Sequence, residues 1–376
     1  MSDTTQERDH RMALSWTFDA GDPVLARALT RAEPGRVWQD TLAGHHGAGP
    51  QRRALAHDTD GLVILARRSD TRFVMPGDPE WPASLADLAG AEPISDRGGV
   101  PVGLWVRGPG HLGEWVDRAV SIVGARACSP YGQGCAGELA AELAEQDWTV
   151  VSGGAFGIDI AAHRGVLSVD GSRTVAVLAC GPDIEYPRGN MLVLQQLAEH
   201  HLVVSEIPPG GRPTRIRFLA RNRLIAALGA GTVMVEAAAR SGARNTMAWA
   251  ESLGRICMAV PGSVHSALSV GPLHLIRERR AELVTGSEQV LELVSAMGEH
   301  LVEAPRAQPH RLDRLPAALM AVYEALPARG RRTPGEVSLA VGEPVQSCLA
   351  ALGALEAQGL ARVDDDGWRA VPPGSR

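Results

Sequence analysis

No lysine occurs in this 376-residue chain: all 37 basic residues are arginine, set against 43 aspartates and glutamates. That absence excludes a G-x-x-x-x-G-K-[ST] phosphate loop. With 42 glycines and abundant alanine it fits a GC-rich genome, so the position of an arginine carries information and its type does not. Cysteine is scarce too: Cys128, Cys135, Cys180, Cys257 and Cys348 are scattered, without a C-x-x-C pair. Such a set argues for reduced thiols, a cytoplasmic setting and no structural zinc. No apolar run approaches the ~18 residues needed to span a membrane. The opening MSDTTQERDH is polar and lacks the charged-then-apolar order of a signal peptide. Aromatics make up only 4% of the chain, which leaves few side chains on which a base could stack.

What is present is an α/β rhythm. Apolar runs begin near Ile122, Val150, Val177, Val203, Val233 and Cys257, with helical patterns such as Gly132–Glu145 and Asn245–Gly254 between them. Continuous Val/Ile/Leu runs alternating with helices predict a Rossmann-like, doubly wound parallel sheet covered on both faces. The loops after such strands converge on one rim. Residues 1–75 read as a helical, SAM-like region, with apolar periodicity in Val24–Leu29 and Leu55–Leu65. Pro76-Gly77-Asp78-Pro79 ends it, and residues 76–300 read as the Rossmann-like domain, in which VGLWVRG (Val102–Gly108) suits an edge strand. Residues 301–310 read as a linker. Residues 311–376 then offer helices at Leu315–Leu326, Thr333–Val341 and Pro344–Gln358, followed by an alternating tail around an Asp-Gly turn. That order outlines a winged helix.

The net charge is −6, yet Arg212–Arg223 (RPTRIRFLARNR) gathers five arginines in twelve residues without an acid. It follows the strand-like His201–Ile207 and leads into an apolar helix, Leu224–Leu228, which places it where open α/β sheets bind ligands. The first βα turn, with Gly124 and Arg126 ahead of Pro130, is either an anion seat or a tight turn that starts a helix. It lacks G-x-G-x-x-G, which argues against a dinucleotide or nucleoside triphosphate, so no cofactor is expected. Ser152-Gly153-Gly154 and Gly157 demand unusual backbone or a close approach. Asp159 and His163 lie one helical turn apart, a spacing that suits acid–base work only with a nucleophile, and none accompanies them. Arg188, Asn190, Arg240, Ser241, Gly242 and Arg244 add further phosphate-contact types. Summed over the loops, Arg126, Arg188, Arg212, Arg215, Arg217, Arg221, Arg223, Arg240 and Arg244 suit an extended polyanion. Only Phe156, Tyr186 and Phe218 could stack bases, so contact through the backbone of a single strand is favoured over base readout.

These motifs, in this order, resemble the DNA-processing protein A (DprA, or Smf) family. The matching runs are VGAR…YG at Val123–Gly132, VVSGGAFGIDIAAHRG at Val150–Gly165, AVLACG at Ala176–Gly181 and YPRGN at Tyr186–Asn190. SEIPPG at Ser205–Gly210, FLARNRLIA at Phe218–Ala226, VEAAARSGARNT at Val235–Thr246 and AVPG at Ala259–Gly262 follow, and GDPEWPASLADL at Gly77–Leu88 leads them. The likeness spans roughly residues 75–295. It implies a non-enzymatic, dimeric protein that binds single-stranded DNA and loads RecA recombinase onto strands coated by single-strand-binding protein, in natural transformation and recombination. Carried over by motif, the DNA contacts fall on Gly124, Arg126, Ser152, Gly153, Gly154, Arg188, Arg221, Asn222 and Arg223. Asn190, Arg217, Ser241 and Gly242 join them by position on the rim. The chain departs from the family at Ala125, where Ser is usual, at Phe156, where Arg is usual, and at Leu219, where Pro is usual. Arg244 adds a charge to a run that is normally more apolar.

The alternative is a nucleoside-monophosphate phosphoribohydrolase, but its P-G-G-x-G-T-x-x-E is not matched. Leu228-Gly229-Ala230-Gly231-Thr232 lacks the first Pro-Gly, and Glu236 stands one position too late. The tail from Arg311 carries eight arginines and eight acids, a neutral balance that favours protein contact over DNA reading.

Overall fold

A computed structural model describes residues 3–296, 299–300, 312, 314–364 and 367–372. The chain divides into two compact units, Met1–Val302 and Glu303–Arg376. Residues 301–310, read as a linker, lie outside the described residues.

In the first unit nine strands form one sheet: β1 (Thr71–Val74), β2 (Leu104–Arg107), β3 (Ala119–Val123), β4 (Thr149–Ser152), β5 (Thr174–Leu178), β6 (Leu202–Ser205), β7 (Gly231–Met234), β8 (Ile256–Ala259) and β9 (Glu282–Leu283). Their order is β1-β2-β6-β5-β4-β3-β7-β8-β9. The six strands expected from sequence are β3 to β8, and they pair in parallel throughout. Each is too apolar for one-sided burial. Along β3, Ala119 and Val123 join the core on one face while Val120 and Ile122 join the other. Helices Arg215–Leu228 and Ala243–Ser252 cover the first face with Leu224, Ile225, Met247 and Trp249. Helices Pro130–Glu145 and Ile158–Val166 cover the second with Leu139, Leu143, Ile158 and Ala162.

Two expectations are corrected here. VGLWVRG does form a strand, but not at the edge: β2 runs antiparallel to β6 with Trp105 opposite Ser205, and β1 pairs along its other side. The four residues TRFV carry too little apolar character to announce β1 directly after a helix. Leu55–Leu65 is not one periodic run. Helix Ala48–Leu55 stops, and Asp58 starts Thr59–Arg68 by accepting the Gly61 N–H at 2.9 Å. Three further helices, Asp3–Thr17, Pro23–Leu29 and Pro34–Leu42, complete the N-terminal region.

The second unit holds helices Ala317–Glu324, Pro334–Val341 and Val345–Ala357, then a hairpin of β10 (Ala361–Asp364) and β11 (Gly367–Ala370). Thr333 caps the second helix, and Glu336 completes a reciprocal capping box with it. The residues between the two strands lie outside the described residues. Leu352, Leu355, Val337 and Trp368 are its core.

Candidate nucleic-acid interface

The strand order reverses at β3: the chain steps from β3 to β4, β5 and β6 on one side, then returns to β7 and β8 on the other. Loops leaving β3 and β7 must therefore part, and a crevice opens at their carboxyl ends. A groove of about 680 Å³ lies there, lined by Gly124, Arg126, Arg221, Asn222, Ser241 and Gly242 of the residues singled out in the sequence. Arg215, Thr214, Phe218, Asp159 and Thr246 line it too.

Helix Arg215–Leu228 forms one wall, and its boundaries correct the sequence reading. The arginine segment does not lead into a helix at Leu224; it is the helix from Arg215 onward, capped by Thr214 Oγ1, which accepts the Arg217 N–H at 3.3 Å. Helical periodicity then divides the arginines. Arg212 and Arg215 are exposed at the first turn and Arg217 is half-buried, whereas Arg221, Asn222 and Arg223 are turned inward. Three cations without an acid at a helix N-terminus oppose the helix dipole. Asp19 relieves one of them, accepting from Arg217 Nη2 at 3.2 Å, while Arg217 Nη1 donates to the Arg212 carbonyl at 2.7 Å.

Arg223 is fully buried. Its Nη2 donates to Glu206 Oε1 at 2.7 Å, Nε to the Gly99 carbonyl at 3.0 Å and Nη1 to the Ala220 carbonyl at 2.9 Å. It does not line the groove. Arg221 is buried beside Asp159, with Nη1 donating to the Val177 carbonyl at 2.8 Å. Burial pushes the Asp159 carboxyl up and the Arg221 guanidinium down, and each partner's charge draws the other back. Gly153 is explained by this pair: a Cβ there would lie 1.7 Å from Arg221 Nη1. Gly157 has φ +79°, and a Cβ on it would meet the Ala125 carbonyl oxygen at 2.2 Å, so the glycine loop packs directly under the Arg126 backbone.

The other expected residues are structural in their contacts. Ser152 Oγ donates to the Ile122 carbonyl at 2.6 Å, and Asn190 Nδ2 to the Gly154 carbonyl at 3.0 Å; Ser152, Gly154 and Asn190 are all buried. Arg188 is exposed on the neighbouring loop. Among the described residues Arg126, Arg188, Arg212, Arg215, Arg240 and Arg244 form no ion pair with an acid.

No local pattern announces what faces the N-terminus of helix Pro130–Glu145. Glu236, at the end of β7, accepts the Ser129 N–H at 2.8 Å and the Ser129 hydroxyl at 2.6 Å. Its carboxylate sits so close that a Cβ on Gly132 would lie 2.3 Å from Oε2. A doubly wound sheet offers this place to a phosphate, and here the protein's own carboxylate holds it. Only tertiary structure brings residues 107 positions apart together, so no local pattern could announce the contact.

Neither of the other titratable candidates is poised for chemistry. His163 is fully buried, its Nδ1 2.8 Å from Thr174 Oγ1, and burial holds it down at about 3. Burial pushes the Cys180 thiol up to about 12. The imidazole stays neutral when folded but binds a proton when unfolded, so stability falls as pH drops below the unfolded value near 6.5. Between pH 7 and 5 the loss traceable to His163 is about 2 kcal/mol. Denaturant unfolding of the wild type and His163→Asn at both pH values checks this: the variant, which can still bond Thr174, shows a correspondingly smaller loss.

Comparison with known proteins agrees with this architecture. Residues 72–295 match the family of the DNA recombination-mediator protein A. A DNA processing protein DprA of Mycobacterium tuberculosis is 45% identical over 350 residues, 93% of this chain and 88% of that one. The X-ray structure of DNA processing protein A from Streptococcus pneumoniae superposes with a TM-score of 0.63 at 31% identity, covering 77% of this chain and 98% of that one. DNA processing protein A from Helicobacter pylori, described for its single-stranded DNA binding mode, gives a TM-score of 0.50 at 26% identity, over 60% of this chain and 96% of that one. A switch-point groove walled by an arginine-rich helix, on a sheet shared with these proteins, makes this chain a member of the DNA recombination-mediator protein A (DprA/Smf) family.

Proposed function

We propose that the protein binds single-stranded DNA along the carboxyl rim of its sheet and delivers it to a RecA recombinase in transformation and recombination. The observation that carries the reading is the set of arginines around the switch-point groove that form no salt bridge. Among the described residues Arg126, Arg212 and Arg215 are exposed and salt-bridged to no acid, and the last two stand at the positive end of a helix. Such an arrangement is relieved by a bound anion, and its extension to Arg188, Arg240 and Arg244 calls for a polyanion. Arg126, Arg215 and Arg221 line a recess and not a protruding helix, which favours a flexible strand over a duplex. The Helicobacter pylori relative, described for its single-stranded DNA binding mode, points the same way.

The role is binding and not catalysis. Glu236 is engaged by Ser129, His163 is neutral and enclosed, and among the described residues the groove lining offers no cysteine. Loading RecA onto strands coated by single-strand-binding protein requires a second surface. A homodimer would supply two rims to one strand and raise the effective DNA concentration. Helices Val270–Arg277 and Ser287–Val294 are the surface we assign to a dimer or RecA contact. The charge-neutral second unit, read as a winged helix, is assigned to a protein partner. No single described helix is long and apolar enough to cross a membrane, in keeping with a cytoplasmic site of action.

Gel-shift titration with single-stranded and duplex DNA at about 50 and 200 mM salt tests the reading. The single strand binds more tightly, and its affinity falls steeply with salt. Equal affinity for duplex, or a flat salt response, would overturn it.

A further inference from the structure

The scarcity of aromatics makes their placement informative. Phe156, Tyr186 and Phe218 come from three separate loops or helices, yet all border one small cavity of about 50 Å³ together with Arg126. The Tyr186 and Phe218 ring centroids are 5.9 Å apart. The Arg126 guanidinium lies over the Phe218 ring, 4.7 Å from its centroid, a contact that orients its planar fork. Phe156 and Tyr186 remain 47% and 42% exposed. Large apolar rings gain by burial, so two left open together on a cationic rim leave π-faces free for a ligand. Phe156 is also supported from below. It rests on Gly189, where a Cβ would lie 2.8 Å from Cε1 and 3.0 Å from Cζ, so the missing side chain leaves room for the ring.

We propose that Phe156, with Tyr186 beside it, is a base-stacking subsite that holds one nucleobase of the bound strand next to the phosphate contact of Arg126. This rests on the single-stranded DNA reading above and adds a recognition element that backbone contacts alone do not supply. Stacking needs only a π-face, so the subsite tolerates any base while rejecting a strand without bases. Arginine at this position would add a charge and remove the platform; phenylalanine does the reverse. Part of the affinity is thereby moved from a salt-sensitive to a salt-insensitive contact.

The test compares a thymidine oligonucleotide with an abasic deoxyribose-phosphate strand of equal length, using the full chain. The wild type binds the thymidine strand about tenfold more tightly than the abasic one, within the range for a single base–aromatic stack. Phe156→Leu, which keeps an apolar side chain but no ring, loses most of that preference and leaves the abasic affinity and the salt slope unchanged. Phe156→Trp retains the preference, and its fluorescence is quenched by the thymidine strand beyond the wild-type response, but not by the abasic strand. Thermal unfolding of both variants near the wild-type midpoint accompanies these results. A wild type that binds both strands equally, or a Phe156→Leu variant that keeps the preference, overturns the subsite while the DNA-binding reading stands. Failure of the wild type to bind either strand overturns both.

Discussion

Replacing Arg223 with alanine is expected to destabilise the first unit by about 3–5 kcal/mol, because it strands a buried carboxylate. Glu206 is 8% exposed, and its Oε1 also accepts the Gly21 N–H at 3.3 Å, so water cannot readily replace the guanidinium. The lost side chain is among the largest fully buried ones in the molecule, and a cavity adds to the cost. The pair Arg223→Met with Glu206→Gln, which removes both charges and keeps volume, recovers much of the loss. Denaturant unfolding of the three proteins measures this. A single variant as stable as the wild type would show that the ion pair is dispensable. Motif position groups Arg221 with Arg223 on the rim; burial makes Arg223 a core residue instead.

The corresponding change on the rim acts on binding alone. Arg126→Ala with Arg215→Ala is expected to weaken single-stranded DNA binding roughly a hundredfold while leaving stability nearly unchanged. Both side chains are exposed and without an acid partner, and a charge-assisted contact contributes about 1.5–3 kcal/mol. If each arginine meets one phosphate, the slope of log affinity against log salt falls by about 1.4, since each contact contributes about 0.7 on a single strand. Titrations at several salt concentrations read both quantities. Unchanged affinity in a folded double variant would remove these arginines from the interface.

The parallel sheet was legible because its strands are largely buried on both faces and therefore read as mostly apolar runs, from AVSIV at β3 to ICMA at β8. β1 and β9 escaped because TRFV and the two-residue Glu282–Leu283 are paired by their neighbours and not by any pattern of their own. Within the site, motif position located Gly124, Arg126, Arg221, Asn222, Ser241 and Gly242 around one groove. What it could not tell was which arginines face outward. That depended on where the helix begins, and Thr214 sets its start ten residues ahead of the apolar stretch that suggested it. Charge composition alone does not separate a cation awaiting a phosphate from one already matched by Glu206.

Glu236 has a consequence for selectivity inside a cell. A protein that captures DNA strands works among abundant free nucleotides, each bearing the same phosphate chemistry as its target. The N-terminus of helix Pro130–Glu145, a place where this kind of sheet can seat a phosphate, faces the protein's own carboxylate, 2.6 and 2.8 Å from Ser129. A mononucleotide can meet only the few rim groups within reach of one phosphate and one base. A strand gathers many such groups at once, because after the first phosphate docks the others are held at high local concentration. The internal carboxylate thus disfavours a lone anion at that helix end without touching the exposed arginines that a long strand would span.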